Sequence, residues 1–244
     1  MRLLIDAGNS RLKWRLDKSG SIVDQGVGFI DDVDPVPGLS ARSVEISSVA
    51  VSTVASEKSR LHLLQYLSSR VSAPAKCYWA ESHRNGLINA YYDHRQMGAD
   101  RWHAMYGAWQ THKHGYTVVD AGSAITVDYV NSAGQHLGGF ILPGLHMMQR
   151  SLRVDAARIG FDSLQISDIR PGASTGECVN HGLAWLTSAL IDRVHNDSKA
   201  FGVADILVTG GDADRLLQLG LTAKCHPCLV LEGLSVVDAE ACAG

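Results

Sequence analysis

The sequence has little charge of one sign to spare. Its 22 Lys and Arg against 25 Asp and Glu leave a formal net charge of −3 over 244 residues. That excludes a general electrostatic hold on nucleic acid or on an anionic membrane surface. Long apolar runs are missing too. The stretch from Leu137 to Met148 is broken by Gly, Pro and His and is too short to span a bilayer. The apolar opening Leu3-Leu4-Ile5 is cut off by Asp6, so no secretory leader is legible and residence in the cytoplasm is the expectation. The 11 histidines are scattered and form no metal-ligand cluster. Neither a Walker A sequence nor a G-x-G-x-x-G fingerprint occurs, which disfavours the usual nucleotide folds. Low-complexity tracts and flexible linkers are also lacking. What remains, 45% apolar and 19% charged, is an ordinary globular composition, long enough for one large domain or two small ones.

Cysteine is sparse and odd in number: Cys77, Cys178, Cys225, Cys228 and Cys242. Reduced thiols are the expectation. Cys225-His226-Pro227-Cys228 has the spacing of a redox motif, but such a motif opens a helix after a strand, and here the strand-like Leu229-Val230-Leu231 follows. A zinc site would need a second pair that the sequence lacks. The expectation is two half-buried thiols in a loop before a late strand.

Against these absences stands one repeat. Leu3 to Gly20 and Val118 to Gly134, offset by 114 positions, are variations on one pattern: an apolar run ends in Asp-Ala-Gly, a small polar residue follows, then a second strand-like run and a turn. Asp6 superimposes on Asp120, Ala7 on Ala121 and Gly8 on Gly122. A strand that delivers a carboxylate into a Gly-containing hairpin suits a phosphate and metal site. Glycine removes the side chain that would block a phosphate, backbone N–H groups can donate to it, and the Asp can hold a cation. Two copies predict a duplicated fold with a nucleotide between the halves.

The rest of the chain fits that duplication. Strands are predicted at Leu3–Asp6, Leu12–Leu16, Ser21–Phe29, Val44–Val51 and Cys77–Trp79, with a loop from Asp31 to Ser40 and a helix within Ser56 to Val71. A helix over 98–113 carries Trp102, Met105, Tyr106 and Trp109 on one face, which reads as core or subunit packing. Exposed on a lone subunit, that stripe would be a patch soluble monomers avoid, so a homodimer is expected. After Gly115 the pattern recurs: three strands within Thr117 to Ile141, a helix over Gly182–His195, a buried strand at Ile206–Val208, and a helix from Ala213 to Leu219. The fold class is α/β, with domains at 1–115 and 116–244 sharing a cleft.

Four islands carry the chemistry. In Asp6-Ala7-Gly8-Asn9-Ser10-Arg11-Leu12-Lys13, Asn9 and Ser10 can donate hydrogen bonds, and Arg11 or Lys13 can offset phosphate charge. Asp6 beside a phosphate implies a bridging Mg²⁺, directly or through water. Asp120-Ala121-Gly122-Ser123 offers a second carboxylate and hydroxyl. Thr209-Gly210-Gly211-Asp212 ends a buried strand, where open α/β sheets bind ligands, or is simply a tight strand–helix turn. In Gly98-Ala99-Asp100-Arg101, Asp100 either serves the first turn of its helix through the macrodipole or accepts a proton from a substrate hydroxyl. Arg101 either forms an ion pair or grips a substrate carboxylate.

With DAGNS, GADR, DAGSAITVD, GGFILPG, PGASTGECVNHG and TGGDA in this order, the chain resembles the type III pantothenate kinases over nearly its whole length. That resemblance implies duplicated actin-like (ribonuclease H-like) domains with a nucleotide cleft, and ATP-dependent phosphorylation of the primary hydroxyl of pantothenate, the first step towards coenzyme A. Asp6 to Lys13 falls on the first phosphate loop and Gly98 to Arg101 on the substrate motif, with Asp100 as proton acceptor. Tyr92, or Tyr91 beside it, matches a substrate-contacting tyrosine. Asp120 matches a monovalent-cation ligand for K⁺ or NH₄⁺, and Ser123 a nucleotide-contacting Thr. Thr175 matches a residue that reaches the neighbouring subunit's site in a homodimer. The resemblance also admits a non-catalytic accessory factor in transcription, and the wider superfamily other small-molecule kinases such as sugar kinases. Retention of Asp6, Asp100, Arg101 and Asp120 favours the enzyme.

Overall fold

The computed structural model describes residues 1–39, 45–155, 168–203 and 205–243; Ser40 and Val44, the ends of a predicted loop and strand, lie outside them. The chain forms two compact units: Met1–Asn85, Asn89–Thr111 and Leu229–Gly244 make the first, and Gly86–Ile88 with His112–Cys228 the second.

In the first unit, β1 (Arg2–Ala7), β2 (Arg11–Lys18) and β3 (Ser21–Phe29) form an antiparallel meander. β4 (Ser48–Thr53) runs parallel to β1, and β5 (Ala75–Tyr78) parallel to β4, giving the order β3-β2-β1-β4-β5. The parallel step between β4 and β5 is made through helix α1 (Glu57–Ser68), whose start is fixed by Ser56: its side chain accepts from Ser59 N–H at 3.2 Å. Alternation along β1 sends Leu3, Ile5 and Ala7 into a core closed by Leu63, Tyr66 and Leu67 of α1. Helices α2 (Ala99–Thr111) and α6 (Leu229–Ala243) also pack in this unit, and both touch β4. They meet closely because glycines face backbone at the crossing. A Cβ on Gly233 would lie 1.9 Å from His103 O, and one on Gly107 2.8 Å from Leu229 O.

The structure corrects four expectations. Leu229-Val230-Leu231 opens a helix, not a strand. The segment from Leu229 onwards joins the first unit rather than the second, and the other division falls after Thr111 rather than after residue 115. The aromatic stripe is no exposed patch either: Trp102, Met105 and Tyr106 are 0% exposed and Trp109 6% within the single chain. With α6 packed against α2, their burial gives no reason for a second subunit.

Two-residue strands β6 (His83–Arg84) and β7 (Leu87–Ile88) belong to neither large sheet. In the second unit β8 (Tyr116–Ala121), β9 (Ala124–Val130) and β10 (His136–Pro143) are antiparallel. β11 (Asp205–Thr209) and β12 (Lys224–Cys225) then add in parallel, and the order β10-β9-β8-β11-β12 repeats that of the first sheet. Helix α4 (Thr175–Ala200) is much longer than the predicted Gly182–His195. Ser174 Oγ accepts from Glu177 N–H at 3.3 Å while Glu177 Oε2 accepts from Ala173 N–H at 2.7 Å, so a Ser-x-x-Glu start stabilises the helix seven residues earlier. Helices α3 (Leu145–Asp155) and α5 (Ala213–Gln218) complete the unit. Among the described residues no helix is long and apolar enough to cross a membrane.

Candidate functional site

The first-unit loop begins where β1 ends. Asp6 lies across from Lys13 on β2 and Ser52 on β4. Gly8 N–H donates to Arg11 O at 3.0 Å and Val54 N–H to Ala7 O at 3.1 Å, so the turn is tied to both neighbouring strands. Asn9, Ser10 and Arg11 are exposed, and Ile30 N–H donates to Ser10 O at 3.1 Å. The Arg11 guanidinium lies 5.6 Å from the Phe29 ring centroid. Ala7 and Leu12 were expected in a phosphate loop, but their side chains are buried in the core, which leaves only their backbone for a ligand.

At the start of α2, Asp100 Oδ1 accepts from the amide of Arg101 at 2.7 Å. A Cβ at Gly98 would come within 2.6 Å of that oxygen. Any side chain there would push the carboxylate from its place, and this is why the motif opens with glycine. Arg101 is 6% exposed, and its Nη1 donates to Tyr91 Oη at 2.7 Å. Tyr91 is itself held by Asn89, whose Oδ1 accepts from Tyr91 N–H at 3.0 Å and whose Nδ2 donates to Glu81 O at 3.0 Å. Tyr92 is fully exposed. Of the two tyrosines, the chain brings Tyr91 to the substrate motif.

One turn further, His103 is fully buried, with Nδ1 2.8 Å from Ser52 Oγ. Burial, with a smaller contribution from Arg84, pushes its pKa down to about 3, so the ring is neutral. Neither residue carries a sequence signal, because the partners lie 51 positions apart.

The second-unit loop repeats the frame. Asp120 pairs with Thr126 and Thr209, Gly122 N–H donates to Ala124 O at 2.9 Å, and Asp212 N–H to Ala121 O at 2.8 Å. An added Cβ at Gly122 would meet nothing nearer than 3.7 Å, so internal packing does not demand glycine there. Gly210 is different. Its φ of +96° belongs to the left-handed region, and a Cβ would lie 2.3 Å from Ala121 O and 2.5 Å from Asp120 Oδ1. Ser123 is exposed, and its carbonyl accepts from Gly144 N–H at 3.1 Å. Thr175 is exposed as the first residue of α4.

Among the described residues no group of three or more His, Cys, Asp or Glu could hold a metal ion. A magnesium ion arriving with ATP needs no such cage, since phosphate oxygens and water supply most of its octahedron and one or two carboxylates the rest. Asp6, one residue before the end of β1 and just ahead of the exposed Asn9 and Ser10, offers one such carboxylate. Asp120 Oδ1 and the Ala121 carbonyl both lie against Gly210, and the carbonyl accepts from Asp212 N–H at 2.8 Å. Cys225 ends β12 and Cys228 immediately precedes α6, a helix where a late strand was expected; Cys225 is exposed and Cys228 half-buried.

A family model described as type III pantothenate kinase matches residues 2–197. The chain is 57% identical over 234 residues to a type III pantothenate kinase of Marinobacter nauticus, covering 96% of each. Two solved structures share the fold. A Campylobacter jejuni protein named for the Baf family of transcriptional activators gives a TM-score of 0.60 at 22% identity over 99% of this chain and 100% of its own. A Sinorhizobium meliloti protein named as a 2-dehydro-3-deoxygalactonokinase gives 0.62 at 11% identity over 99% of each. At those identities the likeness is of fold alone.

Proposed function

The chain belongs to the type III pantothenate kinase family, and from that premise we propose how its residues divide the work of moving a phosphoryl group from ATP to the primary hydroxyl of pantothenate. The enzyme is a kinase of coenzyme A synthesis, with ATP and pantothenate as substrates. The observation that carries the assignment of roles is the arrangement at the start of α2, where Gly98 leaves room for the Asp100 carboxylate and Tyr91 holds the buried Arg101 beside it.

In this reading the pantothenate carboxylate binds the Arg101 guanidinium, with the Tyr91 hydroxyl steering the fork. Asp100 accepts a hydrogen bond from the substrate hydroxyl, orients it, and takes its proton as the O–P bond forms. Phosphoryl transfer has a loose transition state, so positioning and charge neutralisation contribute more than the strength of the base. Asn9, Ser10 and the basic side chains of Arg11 and Lys13 hold the ATP phosphates, and Ser123 is a nucleotide-contacting hydroxyl. When bound, Mg²⁺ neutralises developing phosphate charge, and Asp6 is the residue that would hold it. Asp120 with the Ala121 carbonyl would hold K⁺ or NH₄⁺. A cytoplasmic homodimer, in which Thr175 serves the site of a second copy, completes the proposal. The exposed Trp185 and Leu186 of α4 support such a contact.

The test is an ADP-release assay with purified protein, Mg-ATP and a panel of hydroxylated acids and sugars. Turnover is expected with pantothenate; turnover with a hexose and none with pantothenate overturns the reading. Full activity in sodium or Tris salts alone removes the cation role of Asp120, and a monomer mass with full activity in light scattering removes the dimer.

A further inference from the structure

Ser52 and His103 are both 0% exposed in the first unit, and neither belongs to the loops that meet substrate. His103 follows Asp100 by three residues and so shares its face of α2. Ser52 lies opposite Asp6 in the parallel pairing of β4 with β1, and side chains at paired positions leave a sheet on the same face. The 2.8 Å contact between His103 Nδ1 and Ser52 Oγ therefore joins the helix bearing Asp100 to the strand position beside Asp6.

Packing does not explain a histidine here. Its Nε2 is buried with no hydrogen-bond partner among the described residues, and leaving such an atom unsatisfied costs about 1–3 kcal/mol. A leucine would occupy the space without that penalty. The helix has little freedom to settle elsewhere, because Gly233 of α6 abuts His103 O so closely that a Cβ would lie 1.9 Å away. A neutral imidazole clamped from behind and bonded in front is a spacer of fixed length.

We infer that the Ser52–His103 hydrogen bond is a positioning contact for phosphoryl transfer, setting the distance between the Asp100 carboxylate and the Asp6 carboxylate. This rests on the roles given above to Asp6 and Asp100. The effect belongs in turnover rather than in binding, because a displacement of about 1 Å between reacting groups lowers a rate on the order of 10²-fold. Arg101 and Tyr91, which hold the substrate carboxylate in that reading, are joined by their own bond and do not depend on Ser52.

The experiment is steady-state kinetics with pantothenate and Mg-ATP on the wild type, Ser52→Ala, His103→Leu, their double variant and His103→Asn, with a melting temperature for each. The Asn amide reaches roughly where Nδ1 stands and can keep the bond to Ser52. Ser52→Ala and His103→Leu are expected to stay folded, to hold both KM values within about threefold and to lose about 10- to 100-fold in kcat. The double variant loses no more than the worse single one, since both remove one contact, and His103→Asn recovers most of the rate. Should His103→Leu not fold, Ser52→Ala, which deletes a single hydroxyl, carries the test. Wild-type-like kcat in folded variants, additive losses, or losses that simply follow melting temperature overturn the proposal. If the wild type itself does not turn over pantothenate, the kinase roles fail and this inference falls with them.

Discussion

In the first unit the Asp-Ala-Gly turn closes when Gly8 N–H reaches Arg11 O; in the second, Gly122 N–H reaches only Ala124 O. The pairing shows the same one-residue difference, with Ala7 opposite Leu12 but Ala121 opposite Ile125. The longer first loop therefore presents Asn9, Ser10 and Arg11 as exposed side chains. The shorter second loop presents Ser123 and is built mainly from backbone, with Gly144 on the carbonyls of Gly122 and Ser123, and Gly210 on Ala121 O and Asp120 Oδ1. The strand beside each loop differs in kind as well. β4 runs into Val54, which bonds Ala7 O directly, while β11 needs the left-handed Gly210 before Asp212 bonds Ala121 O. One sheet order thus carries two styles of loop, exposed polar side chains in the first unit and tightly packed backbone in the second.

The sharpest break of that contrast is Asp100→Asn, expected to lower kcat by about 10²- to 10⁴-fold, the usual worth of a placed acid or base. Asp120→Asn, assayed at saturating K⁺, should cost far less and change mainly the response to the cation. Equal losses from both, measured by steady-state kinetics, would erase the division between the units.

Next in size is Gly210→Ala. A positive φ alone costs an alanine about 1–2 kcal/mol, the expected loss at Gly20, whose φ is +83° with open space around it. At Gly210 backbone contacts of 2.3 Å and 2.5 Å add to that strain, so the loss in chemical denaturation should exceed the Gly20→Ala loss by more than about 1 kcal/mol. Identical losses would show that the second loop relaxes freely.

Acid separates the units by another route. The ordinary histidine value is 6.5, and burial holds His103 at about 3. Between those values the unfolded chain binds a proton that the folded chain refuses. Stability from this group is therefore whole above pH 6.5 and drains away as pH falls towards 3, by up to about 1.4 kcal/mol per pH unit. His103→Leu should flatten the acid limb of a stability–pH curve over that range. An unchanged limb would locate the acid sensitivity elsewhere. The smallest effect is expected at the helix starts, where Ser56→Ala in the first unit and Ser174→Ala in the second should each cost about 1 kcal/mol. A larger loss at Ser174 would mean that the Glu177 return bond depends on it.

Much of the scaffold was legible because it is local. Apolar alternation and the Gly-containing turns mark β1 to β3 and β8 to β10, and the 3.6-residue spacing marks α1 and α2. The repeat located both Asp loops, though the equal offset of Gly20 and Gly134 hides the one-residue difference between them. What escaped was long-range. Leu229-Val230-Leu231 is a β-like run whose helical form follows from packing against α2, and no sequence pattern reports that Gly233 meets His103. Tyr91 and Tyr92 are indistinguishable as letters; only the Arg101 guanidinium separates them. The extended start of α4 has a local signal as well, since Ser174 and Glu177 have the spacing of a capping box.

Helix α6 has a consequence for the order in which the molecule is made. Every strand and helix of the second unit is synthesised before Leu229 leaves the ribosome, yet the first unit, begun at residue 1, still lacks one of its helices at that point. Until those 15 residues emerge, the face of α2 that meets α6 has no permanent cover, and a nascent chain with apolar surface open is the species most prone to aggregate. The first unit is therefore completed only after the second has been synthesised, and a pause in translation before Leu229 would harm the first unit above all.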